Sequence, residues 1–388
     1  MIVGLLALLV ALGGTSYAAI VLPNNSVGTR QIVPGGVKSP DIAGNAVTSR
    51  KVKDGSLLLR DFKPGQLVKG SSGPQGAKGD QGPKGDAGAP GPQGPPASVA
   101  QSESPARVDC DKTDAGALQR AIDRARSSDT IHVMGTCREN LTVPVGKDLL
   151  TIDGGGTGTI AAADNAVNTI LVRGRGNTFT GLTVTGGRTG FDVGRASNTV
   201  IDGNTIQGAA RFGITVGGFG IANIVNNTIQ NNASNGILVT GSSFAFIGFS
   251  AADDTVASPN IIRNNGLNGI SIQYSSSARV VGNVISGNAR NGVSIDRGSQ
   301  ANVSSNAIDG NRQSGVFITE NSGANLGSDA GTGIFDAPNT TSTENTLSGV
   351  TCRVGGYSNG RLGTLNGTAG PKDFGTSCVD SLDRPDTF

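Results

Sequence analysis

The feature that most constrains this chain is a period. Gly213, Gly236, Gly269, Gly292 and Gly315 are spaced by 23, 33, 23 and 23 residues, and Gly190 lies another 23 before Gly213. Nine residues before each of the five stands an asparagine: Asn204, Asn227, Asn260, Asn283 and Asn306. Two past each asparagine stands an isoleucine: Ile206, Ile229, Ile262, Ile285 and Ile308. Directly after the glycine come Ile214, Ile237, Ile270, Val293 and Val316, and two further on Val216, Val239, Ile272, Ile295 and Ile318. A second asparagine column runs through Asn232, Asn265, Asn288 and Asn311. A unit this short cannot hold two packed helices, and its apolar positions alternate as strands do. The period predicts a coil of short strands, about three per turn, with each turn stacked on the last. Stacking sets equivalent residues about 4.8 Å apart. Isoleucine over isoleucine then builds a continuous core, and asparagine over asparagine builds an amide ladder. Glycine is expected to supply backbone freedom at the corners. The period predicts seven or eight turns.

The segments NTIQNNASNGILV (227–239), NVISGNARNGVSI (283–295) and NAIDGNRQSGVFI (306–318) resemble rungs of right-handed parallel β-helix proteins, the pectin-lyase-like superfold. The resemblance spans residues 107–388 and implies an all-β solenoid. It implies no single activity, because this fold carries lyases, hydrolases, epimerases, phage spikes and passive surface proteins. A solenoid needs a plug at its open end. Residues Asp114 to Arg126 fit one: an amphipathic helix with Leu118, Ala121, Ile122 and Ala125 on one face and Thr113 or Asp114 as N-cap. Residues 339–388 would close the other end.

Ahead of the solenoid lie segments of different composition. Residues 1–18 read as an export signal, with an apolar run from Ile2 to Leu12 and the small-x-small pattern Ser16-Tyr17-Ala18. No basic residue precedes the run, so an uncleaved membrane anchor is the competing reading. Residues 19–69 form a spacer in which Val27, Val37, Val47 and Leu57 recur every ten residues. In residues 70–96 glycine falls at every third position from Gly70 to Gly94, with prolines between, the pattern of a triple helix. This stretch resembles bacterial collagen-like proteins, which implies a homotrimer with a rod about 80 Å long. Residues 97–106 link it to the solenoid. Four cysteines allow three pairings. Cys110–Cys137 and Cys352–Cys378 are favoured because each closes a short loop, with free buried thiols as the alternative. Disulfides suit a secreted or cell-surface chain.

Lys and Arg total 31 against 29 Asp and Glu, and no basic patch stands out, which argues against a nucleic-acid partner. Chemistry on a solenoid must come from outward columns of adjacent turns. One such column is Asp192, Thr215, Leu238, Ser271, Ser294 and Phe317; the next carries Gln273 and Asp296, and the next Tyr274, Arg297 and Glu320. No column holds acids on neighbouring turns, whereas hydrolysis of glycosides uses a carboxylate pair. The richest patch is Gln273, Tyr274, Asp296, Arg297 and Glu320, with an Arg297–Glu320 surface ion pair as the plain alternative. Arg188 and Arg211 stack one turn apart, a place where an anion could bind, with splayed, solvated side chains as the plain alternative. His132 sits in an alternating strand, where a structural role is expected. Two insertions leave from equivalent positions three turns apart, offering Phe249, Asp253, Asp254, Asp329, Phe335 and Asp336. Their acids are of the type that binds Ca²⁺, at spacings that match no standard calcium loop; no other cofactor is expected. The sequence therefore predicts a surface protein that displays a rigid solenoid for adhesion or contact with a polysaccharide or other cell-surface ligand, and no catalytic residues. The alternative is a polysaccharide lyase or glycoside hydrolase, which the fold resemblance alone supports.

Overall fold

A computed structural model describes residues 106–195, 197–249, 257–327 and 337–383. The export signal, the decapeptide spacer and the collagen-like segment lie outside these residues, as do Asp253, Asp254, Asp329, Phe335 and Asp336 of the insertions. The described chain is a parallel β-solenoid of about eleven turns. That exceeds the seven or eight turns the period predicts. The extra turns lie at the ends, where strands such as Leu141–Val143, Ile170–Val172 and Lys372–Phe374 pair in the stack without the repeating asparagine and glycine.

One face is a ten-stranded parallel sheet made of one short strand per turn. The remaining strands form an eighteen-stranded sheet over the other two faces. The columns read from the sequence are the observed register. Ile206 pairs with Ile229, Ile229 with Ile262, Ile262 with Ile285 and Ile285 with Ile308. Ile214, Ile237, Ile270, Val293 and Val316 stack in the same way. All of these are fully buried. A third inward column, Ala222, Ala245, Ala278, Ala301 and Ala324, lies two residues before Ile224, Ile247, Val280, Val303 and Leu326. Small side chains next to large ones let three faces meet at one narrow core.

Polar ladders run through the corners of that core. Each of Asn204, Asn227, Asn260, Asn283 and Asn306 donates its backbone N–H and its Nδ2 to the Oδ1 of the next turn's asparagine, ending on Asn339. Their Nδ2 atoms also donate to backbone carbonyls, as Asn283 does to Ile247 and Val281. A second ladder joins Asn232, Asn265, Asn288, Asn311 and Asn345. A third, of serine, is not singled out by the sequence: the backbone N–H groups of Ser243, Ser276 and Ser299 donate to the hydroxyls of Ser276, Ser299 and Ser322. Where a strand turns away, its backbone groups are thus satisfied one turn further along.

The repeat glycines do something other than expected. None of Gly213, Gly236, Gly269, Gly292 and Gly315 has a positive φ. A Cβ on Gly292 would instead lie 2.5 Å from Ile308 Cγ2 and 2.7 Å from the Gly315 carbonyl oxygen. Close approach of successive turns excludes a side chain there. Left-handed backbone falls at neighbouring corner positions, at Gly208, Asn231, Asn264, Gly287 and Gly310, residue types that tolerate it.

The open end is plugged by the helix Ala117–Arg124, shorter than the Asp114–Arg126 expectation. Leu118 and Ile122 are fully buried, and Ala121 and Ala125 pack against the core. Its N-cap is Gly116 rather than Thr113 or Asp114. Thr113 bonds the Asp109 carbonyl instead. The cap comes from a neighbouring turn: buried Glu139 accepts from the N–H groups of Leu118 and Gln119 at 3.1 and 2.9 Å, and its charge suits the positive helix end. Cys110–Cys137 ties this end and Cys352–Cys378 the other, across 27 and 26 residues. Each cross-link contributes about 3 kcal/mol through loop-closure entropy.

Candidate functional site

The strands Ile270–Ile272, Val293–Ile295 and Val316–Ile318 stack in register in the ten-stranded sheet. Their inward residues feed the core. Their middle residues face away from it, and Ser271 and Ser294 are nonetheless buried. On one side they are walled by an outer ladder in which Asn235, Asn268 and Asn291 accept from the next turn's backbone N–H. On the other side stand Gln273 and Asp296. The outward column here runs Ser271, Ser294 and Phe317, between the asparagine ladder and Gln273 and Asp296.

After each strand the chain makes two consecutive left-handed residues: Tyr274 and Ser275 (φ 56° and 55°), Arg297 and Gly298 (54° and 72°), Glu320 and Asn321 (52° and 58°). This is the backbone of a type I′ turn. In the two preceding turns the first of these positions is glycine, Gly218 and Gly241. Left-handed backbone costs a non-glycine residue roughly 1–2 kcal/mol, so Tyr274, Arg297 and Glu320 are held in place against a local penalty. Arg195 and Val354 hold the same position with positive φ in other turns, so the penalty belongs to the corner column as a whole.

All five residues singled out by sequence come together. The Arg297 guanidinium lies 4.6 Å from the Tyr274 ring centroid. Arg297 Nη1 donates to Gln273 Oε1 at 2.5 Å. It also lies 3.5 Å from Asp296 Oδ1, and Arg297 Nε lies 3.6 Å from Glu320 Oε2. The expected Arg297–Glu320 pair is present, and Asp296 joins it. Two carboxylates from different columns thus meet across one arginine, beside a tyrosine that is 53% exposed. Asp296 is the more sheltered, and its Oδ1 is buried without a hydrogen bond. Burial holds the Asp296 carboxyl above its ordinary pKa; the Glu320 charge adds to this, while Arg297 and a hydrogen bond from Ser294 oppose it.

The sign of that shift makes a prediction. A carboxyl whose pKa is higher in the folded chain favours folding when protonated, and this contribution is lost as pH rises through the folded value. Asp296→Asn should therefore raise the melting midpoint at pH 7, by about 1–3 °C. The gain should shrink as pH falls below the folded pKa toward the ordinary aspartate value. Thermal melts of both proteins from pH 3 to pH 8 check this.

Other expected sites resolve differently. Phe249, offered as a loop contact, is fully buried, with Phe246 edge-on at 5.6 Å, so its ring is unavailable to a ligand. Arg188 and Arg211 do lie on adjacent turns, and the Arg211 guanidinium rests over Phe212 at 4.7 Å. His132 Nδ1 sits 3.1 Å from Asp153 Oδ2 across one turn. Asp192, which stands alone in its column, accepts from Asn168 and pairs with Arg173 at 3.3 Å. Arg353 and Asp373 repeat that arrangement near the far end. The two pairs are 19 and 20 residues apart in sequence, one shortened turn, a spacing that the 23-residue period hides. Among the described residues the metal-type cluster Cys110, Cys137 and Glu139 is already committed, to a disulfide and to the helix cap.

A family model described as the right handed beta helix region matches residues 138–250 and 244–352, more than half of the chain. The chain belongs to this family. Right-handed β-helix architecture is what the described residues display, and the site above lies on its ten-stranded face. No curated protein sequence matches the chain. Among solved structures, a periplasmic alginate epimerase AlgG variant is similar at 14% identity and a TM-score of 0.41, over 72% of this chain and 82% of that one. The pectate lyase Pel9A is similar at 14% identity and a TM-score of 0.44, over 69% and 72%. The mannuronan C-5 epimerase AlgE4 A-module of Azotobacter vinelandii is similar at 14% identity and a TM-score of 0.38, over 71% and 95%. None of the three scores reaches 0.5, and no activity follows from them. Among the described residues no helix is long and apolar enough to cross a membrane.

Proposed function

We propose that this β-helix acts on polysaccharide outside the cytoplasm, through the patch formed by Gln273, Tyr274, Asp296, Arg297 and Glu320. The observation that carries the proposal is the meeting of Asp296 and Glu320 at Arg297, beside an exposed aromatic ring. Breaking a glycosidic bond calls for an acid and a base with separated pKa values. Asp296, held above its ordinary pKa by burial, is suited to give a proton to the glycosidic oxygen. Glu320, half exposed and beside Arg297, supplies the second carboxylate. The free area of the Tyr274 ring offers a sugar a flat apolar surface, and Gln273 and Arg297 offer donors to its oxygens. Two disulfides support an oxidising compartment. This reading places reaction ahead of the adhesive role that the columns alone suggest.

A second reading, binding without reaction, is favoured by one detail. Arg297 neutralises both acids at once, which makes a self-satisfied surface that can hold a glycan through hydroxyl contacts. Both readings place the sugar at the same corner. Hydrogen exchange followed by mass spectrometry, with and without added acidic and neutral polysaccharides, tests that placement. Added slowing is expected at residues 271–275, 294–298 and 317–321. Slowing confined to the opposite faces of the solenoid, or none with any polysaccharide, would refute it.

A further inference from the structure

We propose that Phe219 is a second aromatic contact on the same ridge, so that the ligand is an extended sugar chain lying along the solenoid axis; this rests on the polysaccharide reading above. Phe219 follows Gly218 at the corner equivalent to Tyr274-Ser275, with φ 64°. At this second turn position the other described turns carry Ser242, Ser275, Gly298, Asn321 and Gly355, small or polar residues that suit left-handed backbone. A phenylalanine there is an outlier. It is also 68% exposed, the most exposed aromatic side chain among the described residues. It takes no part in any ring pair or cation–π contact among them. Packing therefore does not account for the residue, and the backbone disfavours it.

Its position gives it a use. Val216 pairs with Val239 and Val239 with Ile272, so the Phe219 corner lies two turns from the Tyr274 corner. At about 4.8 Å per turn the two rings are about 10 Å apart along the axis. Between them the intervening turn carries only Gly241 and Ser242, which leaves the surface low. Ile221, exposed, and Phe244, half-buried, widen the apolar patch beside Phe219. A single ring on Tyr274 would not reach it, whereas a chain of several sugars would. The ridge is apolar at Phe219, with exposed Arg195 one turn beyond it, and carries both charge signs at the Arg297–Glu320 end, which fits stacking at one end and polar recognition at the other.

The test measures affinity of the full chain by calorimetry for oligogalacturonides and cello-oligosaccharides of one to six residues. Phe219→Ser introduces the residue found at positions 242 and 275, so the fold should tolerate it. The expected result is affinity at least tenfold weaker for tetra- to hexasaccharides, unchanged affinity for mono- and disaccharides, and an unchanged or higher melting midpoint. Tyr274→Gly should weaken binding at every length. Equal loss at all lengths with Phe219→Ser, or no loss at any, would overturn the second contact while leaving the Tyr274 site standing. No binding of either series by the wild-type chain would overturn both. Loss of a wild-type oligomer on Phe219→Ser, seen by sedimentation, would assign the patch to self-association instead and also overturn the proposal.

Discussion

Asn283→Ala should lower the stability of the solenoid by about 3–5 kcal/mol, with a fall in melting midpoint on the order of 10 °C. The side chain is almost fully buried in the longest asparagine ladder. Removing it takes the acceptor away from both the backbone N–H and the Nδ2 of Asn260. It also removes the donor from the carbonyl oxygens of Ile247 and Val281. Each buried group left unpaired costs about 1–3 kcal/mol, and alanine leaves a void as well. Because each turn contacts only its neighbours, the damage should be local, with faster hydrogen exchange near residues 260 and 306 before the ends respond. Gln230→Ala, which removes a half-buried amide from an outer pair with Gln207 and a bond from Arg263, should change stability by no more than about 1 kcal/mol. Denaturant melts of both variants check the contrast. Equal effects would mean that the inner ladder is ornamental.

Asp296→Asn and Glu320→Gln should each lower polysaccharide turnover by at least about 100-fold, the usual effect of removing a general acid or base. Both changes keep the shape of the side chain, and neither removes a core contact. The expected signature is a large loss of rate at full stability, with Asp296→Asn melting higher than the wild type at neutral pH. A residue kept for structure alone would behave in the opposite way, losing stability and rate together. Arg297→Ala is less informative, because it strips the partner from both acids at once.

The stack was legible because its signals repeat. Asparagine and isoleucine recur every 23 residues, with one step of 33, over five turns, and their physical job is the same in each. Ser243, Ser276, Ser299 and Ser322 recur at that spacing too, but serine is common enough that its column does not announce a ladder. The turns near residues 141, 170 and 372 escaped because they keep the core pattern and drop the asparagine and glycine. The repeat glycines are legible but their role is not: sequence shows that a side chain is absent but not whether φ or crowding removed it. The helix cap was missed because Glu139 lies over twenty residues from the N–H groups it satisfies. At the patch the five residues are legible one by one, but the pairing of acids is not. Asp296 and Glu320 stand in different columns, and a search within columns cannot find them. They meet because Arg297 is long enough to reach one acid beside it and another a turn away. Phe219 was overlooked for a related reason, since its oddity lies in a backbone angle.

The corner at Tyr274, Asp296, Arg297 and Glu320 is proposed to work on polysaccharide. Turnover tests it most directly: the full chain is incubated with a panel of acidic and neutral polysaccharides, with and without Ca²⁺, and new reducing ends and the ultraviolet absorbance of unsaturated uronides are followed. The account predicts turnover of at least one polysaccharide that disappears in Asp296→Asn. No turnover across the panel by a chain that melts cooperatively, or turnover that Asp296→Asn and Glu320→Gln leave intact, would contradict it.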